Sequence, residues 1–138
     1  MINKYGYDFS HLRVLLVDEA ISYQVMMKNV FEKLNIEKYD IAENGIEAIV
    51  KTYRNQYDLI IMDNEIPFMT GFEVACIIKN KLDVQTPIYI CSTSDTIDLS
   101  KPCKVCYDYT IPKPTEFDDV ISMFEVQTDM IRNNENSK

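Results

Sequence analysis

Three short runs in this chain are apolar at almost every position, and each is followed by a segment of helical period. The runs are Arg13-Val14-Leu15-Leu16-Val17, Tyr57-Asp58-Leu59-Ile60-Ile61-Met62 and Pro87-Ile88-Tyr89-Ile90-Cys91. A strand with no polar face has no side to turn to water, so it must lie inside a sheet that is covered on both faces. Between these runs, Val25, Met26, Val30, Phe31 and Leu34 recur at helical spacing over Ala20 to Leu34, and Tyr39-Asp40-Ile41-Ala42 reads as a short strand. Asn44-Gly45 opens a helix carrying Ile46, Ile49 and Val50, and Phe72 to Lys81 forms another after a turn with Pro67 and Gly71. A fourth helix is predicted over Asp95 to Lys104, short or irregular because of Pro102, and a fifth strand over Val105 to Ile111. Thr115 is positioned to cap a last helix in which Phe117, Val120, Ile121 and Phe124 share one face.

Five βα units in series imply a parallel sheet with helices on both faces. At 138 residues the chain fits one domain. Residues 12–131 carry that domain, 1–11 form an N-terminal extension with three aromatics (Tyr5, Tyr7, Phe9), and 132–138 form a polar tail expected to fray.

The net charge of −8 argues against nucleic-acid binding, which needs a basic face to neutralise phosphates. No apolar run approaches membrane-spanning length and no signal peptide is visible, so a cytoplasmic, non-membrane protein is expected. Cys76, Cys91, Cys103 and Cys106 are then expected as thiols. The Cys103-x-x-Cys106 pair has no further zinc ligands nearby, and it does not open a helix as a thioredoxin-like site would.

Open parallel sheets bind ligands at the carboxyl ends of their strands. Those ends here carry Asp18-Glu19, Asp63, Ser92 and, past the fifth strand, Lys113-Pro114. Two carboxylates about 4 Å apart repel by roughly 4 kcal/mol at an effective dielectric near 20, so three of them with one lysine call for a further cation. Magnesium suits such an oxygen donor set together with a phosphate. Asp63 could then act as a covalent nucleophile toward a phosphoryl group, with Asp18 and Glu19 on the metal and Ser92 and Lys113 on phosphoryl oxygens. Taken singly, Asp18-Glu19 could cap the first helix, Asp63 a turn, and Ser92 and Lys113 could be ordinary surface groups. It is their joint placement on successive strand ends that these separate explanations leave out.

In Val14-Leu15-Leu16-Val17-Asp18-Glu19, Ala42-Glu43-Asn44-Gly45-Ile46-Glu47-Ala48, Tyr57-Asp58-Leu59-Ile60-Ile61-Met62-Asp63, Ile66-Pro67-Phe68-Met69-Thr70-Gly71-Phe72-Glu73, Thr86-Pro87-Ile88 and Lys113-Pro114, the chain resembles the response-regulator receiver family. The resemblance implies a flavodoxin-like sheet of strand order 2-1-3-4-5. It implies that Asp63 accepts phosphate from a histidine kinase or histidine phosphotransfer protein with Mg²⁺ bound by Asp18, Glu19, Asp63 and the backbone carbonyl of Glu65. Ser92 then corresponds to the switch hydroxyl, Lys113 to the phosphoryl-pairing lysine, and the Lys113-Pro114 bond is expected to be cis. Such a domain catalyses only its own phosphorylation and dephosphorylation. An output partner is expected on the face of the fourth helix, fifth strand and last helix.

Three departures from the family pattern stand out. Thr93 is bulkier than the usual residue after the switch hydroxyl, and Glu65 adds a carboxylate two residues past the nucleophile. Both are expected to modulate access of phosphoryl donor and water. The switch aromatic normally lies three residues before the lysine, where this chain has Thr110, with Tyr109 one earlier. Either a bulge in the fifth strand brings Tyr109 into register, the favoured reading, or the hydroxyl–aromatic coupling is absent. The rival functions are a pseudo-receiver that binds without phosphorylation and an aspartate-nucleophile phosphatase. A flavin-binding protein is a third, and it would want a phosphate loop where Asp18-Glu19-Ala20-Ile21 stands.

Overall fold

The computed structural model describes residues 2–4, 6–92, 106–113 and 115–136, with side chains except those of Ser92 and residues 130–136. Five strands, β1 (Arg13–Val17), β2 (Lys38–Ala42), β3 (Leu59–Asp63), β4 (Ile88–Ser92) and β5 (Tyr109–Pro112), pair in parallel in the order β2-β1-β3-β4-β5. The described helices are α1 (Ile21–Lys33), α2 (Gly45–Arg54), α3 (Gly71–Asn80) and α4 (Phe117–Asn136). The order and the covering on both faces are those expected of a flavodoxin-like doubly wound sheet. The helix predicted over 95–104 lies outside the described residues.

The all-apolar runs became the interior strands because alternate residues serve two cores. Val14, Leu16, Leu59, Ile61, Tyr89 and Cys91 face α1 and α4, where they meet Met27, Phe31, Leu34, Val120, Met123 and Phe124. Leu15, Val17, Ile60, Met62, Ile88 and Ile90 face α2 and α3, where they meet Ala48, Val74, Ala75 and Ile78. Each such large side chain contributes about 1.5–3 kcal/mol by leaving water.

The helical faces differ in detail from the sequence expectation. In α1 the fully inward stripe is Tyr23, Met27 and Phe31, while Val25 is exposed. In α2 the buried positions are Gly45, Ala48 and Thr52, and Ile46 and Val50 point to solvent. Small residues face α3 because a Cβ on Gly45 would stand 2.6 Å from Val74 Cγ2. Asn44 caps α2, accepting from the Glu47 N–H, and Thr70 caps α3 through the Glu73 N–H.

Thr115 does not cap α4. The helix starts at Phe117, the Glu116 N–H donates to Asp119 Oδ2, and the Thr115 hydroxyl is buried between Tyr23 and the Pro112 carbonyl. Helix continues to Asn136, so residues 132–136 of the expected tail are helical.

The N-terminal extension completes the first core. Phe9 is buried, with its ring centroid 5.6 Å from that of Phe124, which meets Phe31 edge-on at 6.0 Å. Asn3 Nδ2 donates to the Leu34 carbonyl just past α1. Among the described residues, no helix is long and apolar enough to cross a membrane.

Candidate functional site

Parallel pairing brings the carboxyl ends of β1 and β3 side by side, with β5 two strands beyond. Asp18 directly follows β1, and its N–H donates to the Ala42 carbonyl at the end of β2. Its side chain is 1% exposed. Oδ1 accepts from the Ala20 N–H at 2.8 Å, and the backbone carbonyl accepts from Gln24 Nε2 at 2.7 Å. Ala20, not Asp18 or Glu19, holds the cap position of α1.

Asp63 ends β3, opposite Cys91, with the following Asn64 N–H donating to the Cys91 carbonyl. Its side chain is 12% exposed, so it is the carboxylate of the pair that an incoming molecule can reach. Gly71 lies against its backbone: a Cβ there would stand 2.5 Å from the Asp63 carbonyl oxygen. Glycine is therefore required for α3 to start this close to the site.

Lys113 joins the two acids. Its Nζ donates to Asp18 Oδ2 at 2.8 Å and lies 3.1 Å from Asp63 Oδ2, while Asp63 Oδ1 accepts a longer bond from the Glu65 N–H at 3.3 Å. Burial raises the Asp63 carboxyl above its ordinary value, and the bonds from Lys113 and the Glu65 amide offset only part of that. Burial alone would lower the Lys113 ammonium, but the bonds and charges of Asp18 and Asp63 outweigh it and the net direction is upward. Beneath them the Cys91 thiol is pushed up to about 11, chiefly by burial.

Of the expected site residues, the structure brings together Asp18, Asp63 and Lys113. Glu19 and Glu65 are exposed, and Glu65 forms an isolated bridge with Thr70. Among the described residues, no group of three His, Cys, Asp or Glu side chains is assembled that could hold a metal ion. What is assembled is an oxygen-only pair of carboxylates converging on one cationic point, a donor set that suits a hard divalent cation. Thr93, Pro114 and the side chain of Ser92 lie outside the described residues.

The expected bulge is not present. β4 and β5 pair one to one, Tyr89 with Tyr109, Ile90 with Thr110, Cys91 with Ile111 and Ser92 with Pro112. Tyr109 therefore stays on the face of Tyr89 and stacks on it with centroids 4.6 Å apart and planes at 21°. Thr110 occupies the opposite face, with Ile90. Pro112 is tolerated because β5 is an edge strand. Sequence reasoning also missed Tyr23, Gln24 and Thr115, which surround Asp18 and Lys113. The one available signal was an aromatic in the first turn after an acidic pair.

Residues 14–125 match the response regulator receiver domain family. The autoinducer 2 sensor kinase/phosphatase LuxQ of Vibrio parahaemolyticus is 38% identical over 85 residues, which are 62% of this chain and 10% of LuxQ. The chemotaxis protein CheY of Listeria monocytogenes is 30% identical over 118 residues, 83% of this chain and 96% of CheY. The solved receiver domain of the Francisella response regulator 1452 superposes with a TM-score of 0.76 at 25% identity, covering 88% of this chain and 99% of that one. The chain thus spans about a tenth of the LuxQ relative. It belongs to the response regulator receiver family. Domains of this family act on their own phosphorylation state and are not general enzymes.

Proposed function

We propose that Asp63 accepts a phosphoryl group from the phosphohistidine of a histidine kinase or histidine phosphotransfer protein, switching a cytoplasmic signalling domain. The observation that carries this is the pair of strand-end carboxylates held by one lysine, with the more accessible of the two at the end of β3. An Asp63 carboxylate oxygen forms the new O–P bond as the P–N bond to the donor imidazole breaks, and the imidazole keeps the electron pair. Lys113 turns from the carboxylates to a phosphoryl oxygen and offsets its charge. Buried Asp18 keeps Lys113 and the β1 end in place. Mg²⁺ fits the Asp18 and Asp63 oxygens, with Glu19 and the Glu65 carbonyl as further donors, and supplies charge neutralisation when bound.

Ser92 is assigned to the phosphoryl oxygens, and Thr93 and Glu65 to slowing donor entry and hydrolysis. The lifetime of phospho-Asp63 should shorten in Thr93→Ala and Glu65→Asn. Equal lifetimes would remove both from the account. Output passes through the face of β5, α4 and the segment between β4 and β5, with Thr110 rather than Tyr109 at the switch position.

The test is an NMR titration with beryllofluoride and Mg²⁺ on wild type and Asp63→Asn. Shifts along β3, β4 and β5 in the wild type alone support the reading. A silent wild type would instead describe a receiver-shaped binding module that works without phosphorylation.

A further inference from the structure

Among the described residues, Lys113 also meets an aromatic ring besides its two acids. Its Nζ stands 4.5 Å from the ring centroid of Tyr23, in the first turn of α1. Tyr23 is 7% exposed and belongs to the same core as Cys91 and Ile111. Its hydroxyl lies 2.8 Å from Thr115 Oγ1 and 3.5 Å from Cys91 Sγ, and Thr115 Oγ1 in turn donates to the Pro112 carbonyl at 2.9 Å. The ring is thereby pinned from β4 by Cys91 and by Thr115, which lies two residues past Lys113 and is itself anchored on the Pro112 carbonyl. What it offers the ammonium is a π face, and its one polar atom is already engaged elsewhere.

That arrangement matters because the lysine must change partners. A lysine on a flexible four-carbon stem loses its orientation once a carboxylate lets it go. An aromatic face attracts a cation across its whole area, so it can keep hold of an ammonium that swings between acceptors. We infer that Tyr23 is a positioning residue for phosphoryl acceptance: its ring face holds the Lys113 ammonium over the site while its hydroxyl ties that ring to the β5–α4 connection. Lys113 can then leave Asp18 for a phosphoryl group on Asp63 without leaving the site. This rests on Asp63 being the acceptor.

The experiment compares wild type, Tyr23→Phe, Tyr23→Leu and Asp63→Asn by two readouts. The first is the NMR shift of the Lys113 ε-methylene protons, which an aromatic face moves upfield. The second is the rate of Mg²⁺-dependent phosphorylation by phosphoramidate. The Phe variant keeps the ring and should keep both the upfield shift and a rate within about twofold of wild type. The Leu variant should lose the shift and react about tenfold more slowly, the scale of a partly desolvated cation–π contact. Equal rates in wild type and a folded Leu variant would overturn the inference and leave the acceptor reading intact. No phosphorylation of the wild type would overturn the acceptor reading, and the role of Tyr23 with it. Because Tyr23 is buried, the Leu variant can fail to fold. The wild-type spectrum then decides, since ε-methylene protons at an ordinary lysine shift would overturn the inference.

Discussion

Replacing Lys113 with methionine keeps much of the side chain's length and apolar bulk and deletes its charge. In the wild type the nitrogen lies 2.8 Å from one carboxylate and 3.1 Å from the other. Those contacts hold the two carboxylates within about 6 Å of each other, where their repulsion is roughly 3 kcal/mol at an effective dielectric near 20. Asp18 is buried and cannot turn to water, so Lys113→Met is expected to lower stability at pH 7 by about 2–3 kcal/mol.

The pH dependence distinguishes this cause from lost packing. Asp63 already has a carboxyl raised above its ordinary value, and loss of the lysine raises it further. The folded state then binds more protons than the unfolded one between the ordinary and the raised value, so the variant regains stability as pH falls through that window. Wild-type Lys113 carries the same sign in a far more alkaline window. Its raised value makes its contribution complete below the unfolded lysine value and lost as pH rises through the folded one. Urea denaturation at pH 7 and pH 5 measures the deficit, and Asp63→Asn in the Lys113→Met background should recover most of it. A variant as stable as wild type at pH 7, or a deficit unchanged at pH 5 and in the double mutant, would rule out charge repulsion as the cause.

Phe68 is 94% exposed at a φ of 72°, a backbone region costly for a bulky residue, so Phe68→Gly should raise stability by about 0.5–1 kcal/mol in thermal or urea unfolding. Gly71→Ala forces a methyl against the Asp63 carbonyl and should both destabilise the fold and shift the Asp63 amide resonance, whereas a purely helical effect would stabilise it. Phe9→Ala should cost about 3–5 kcal/mol in urea denaturation, since the extension fills the core beside Phe124 rather than trailing in solvent.

The sheet was legible because its interior strands carry polar residues only at their ends: β1 and β3 could not be anything but doubly covered. The site was legible to the same degree, since Asp18, Asp63 and Lys113 sit where strand ends must converge. Helix faces were less so. Val25, Ile46 and Val50 are apolar and at helical spacing, yet they point outward, because spacing fixes which residues share a face and not which face the sheet covers. Thr115 resembled a cap, but Asp119 favours Glu116 for that place and Tyr23 engages the threonine hydroxyl. The register of β5 is set by pairing with β4, and Tyr109 is held by its stack on Tyr89, to whose hydroxyl Gln127 Nε2 donates at 2.7 Å. The Glu116–Asp119 cap is a local pattern, but no local pattern records the Tyr23–Thr115 contact or the register of β5, which depend on residues 20 or more positions apart.

Everything proposed for the site depends on Asp63 being the residue that takes the phosphoryl group. The most direct test of that assignment is incubation of the full chain with phosphoramidate and Mg²⁺, borohydride trapping, and mass spectrometry of the peptide that contains residue 63. One modified aspartate is expected, at Asp63, abolished in Asp63→Asn and strongly reduced when Mg²⁺ is chelated. An unmodified Asp63, or equal modification in Asp63→Asn, would contradict it.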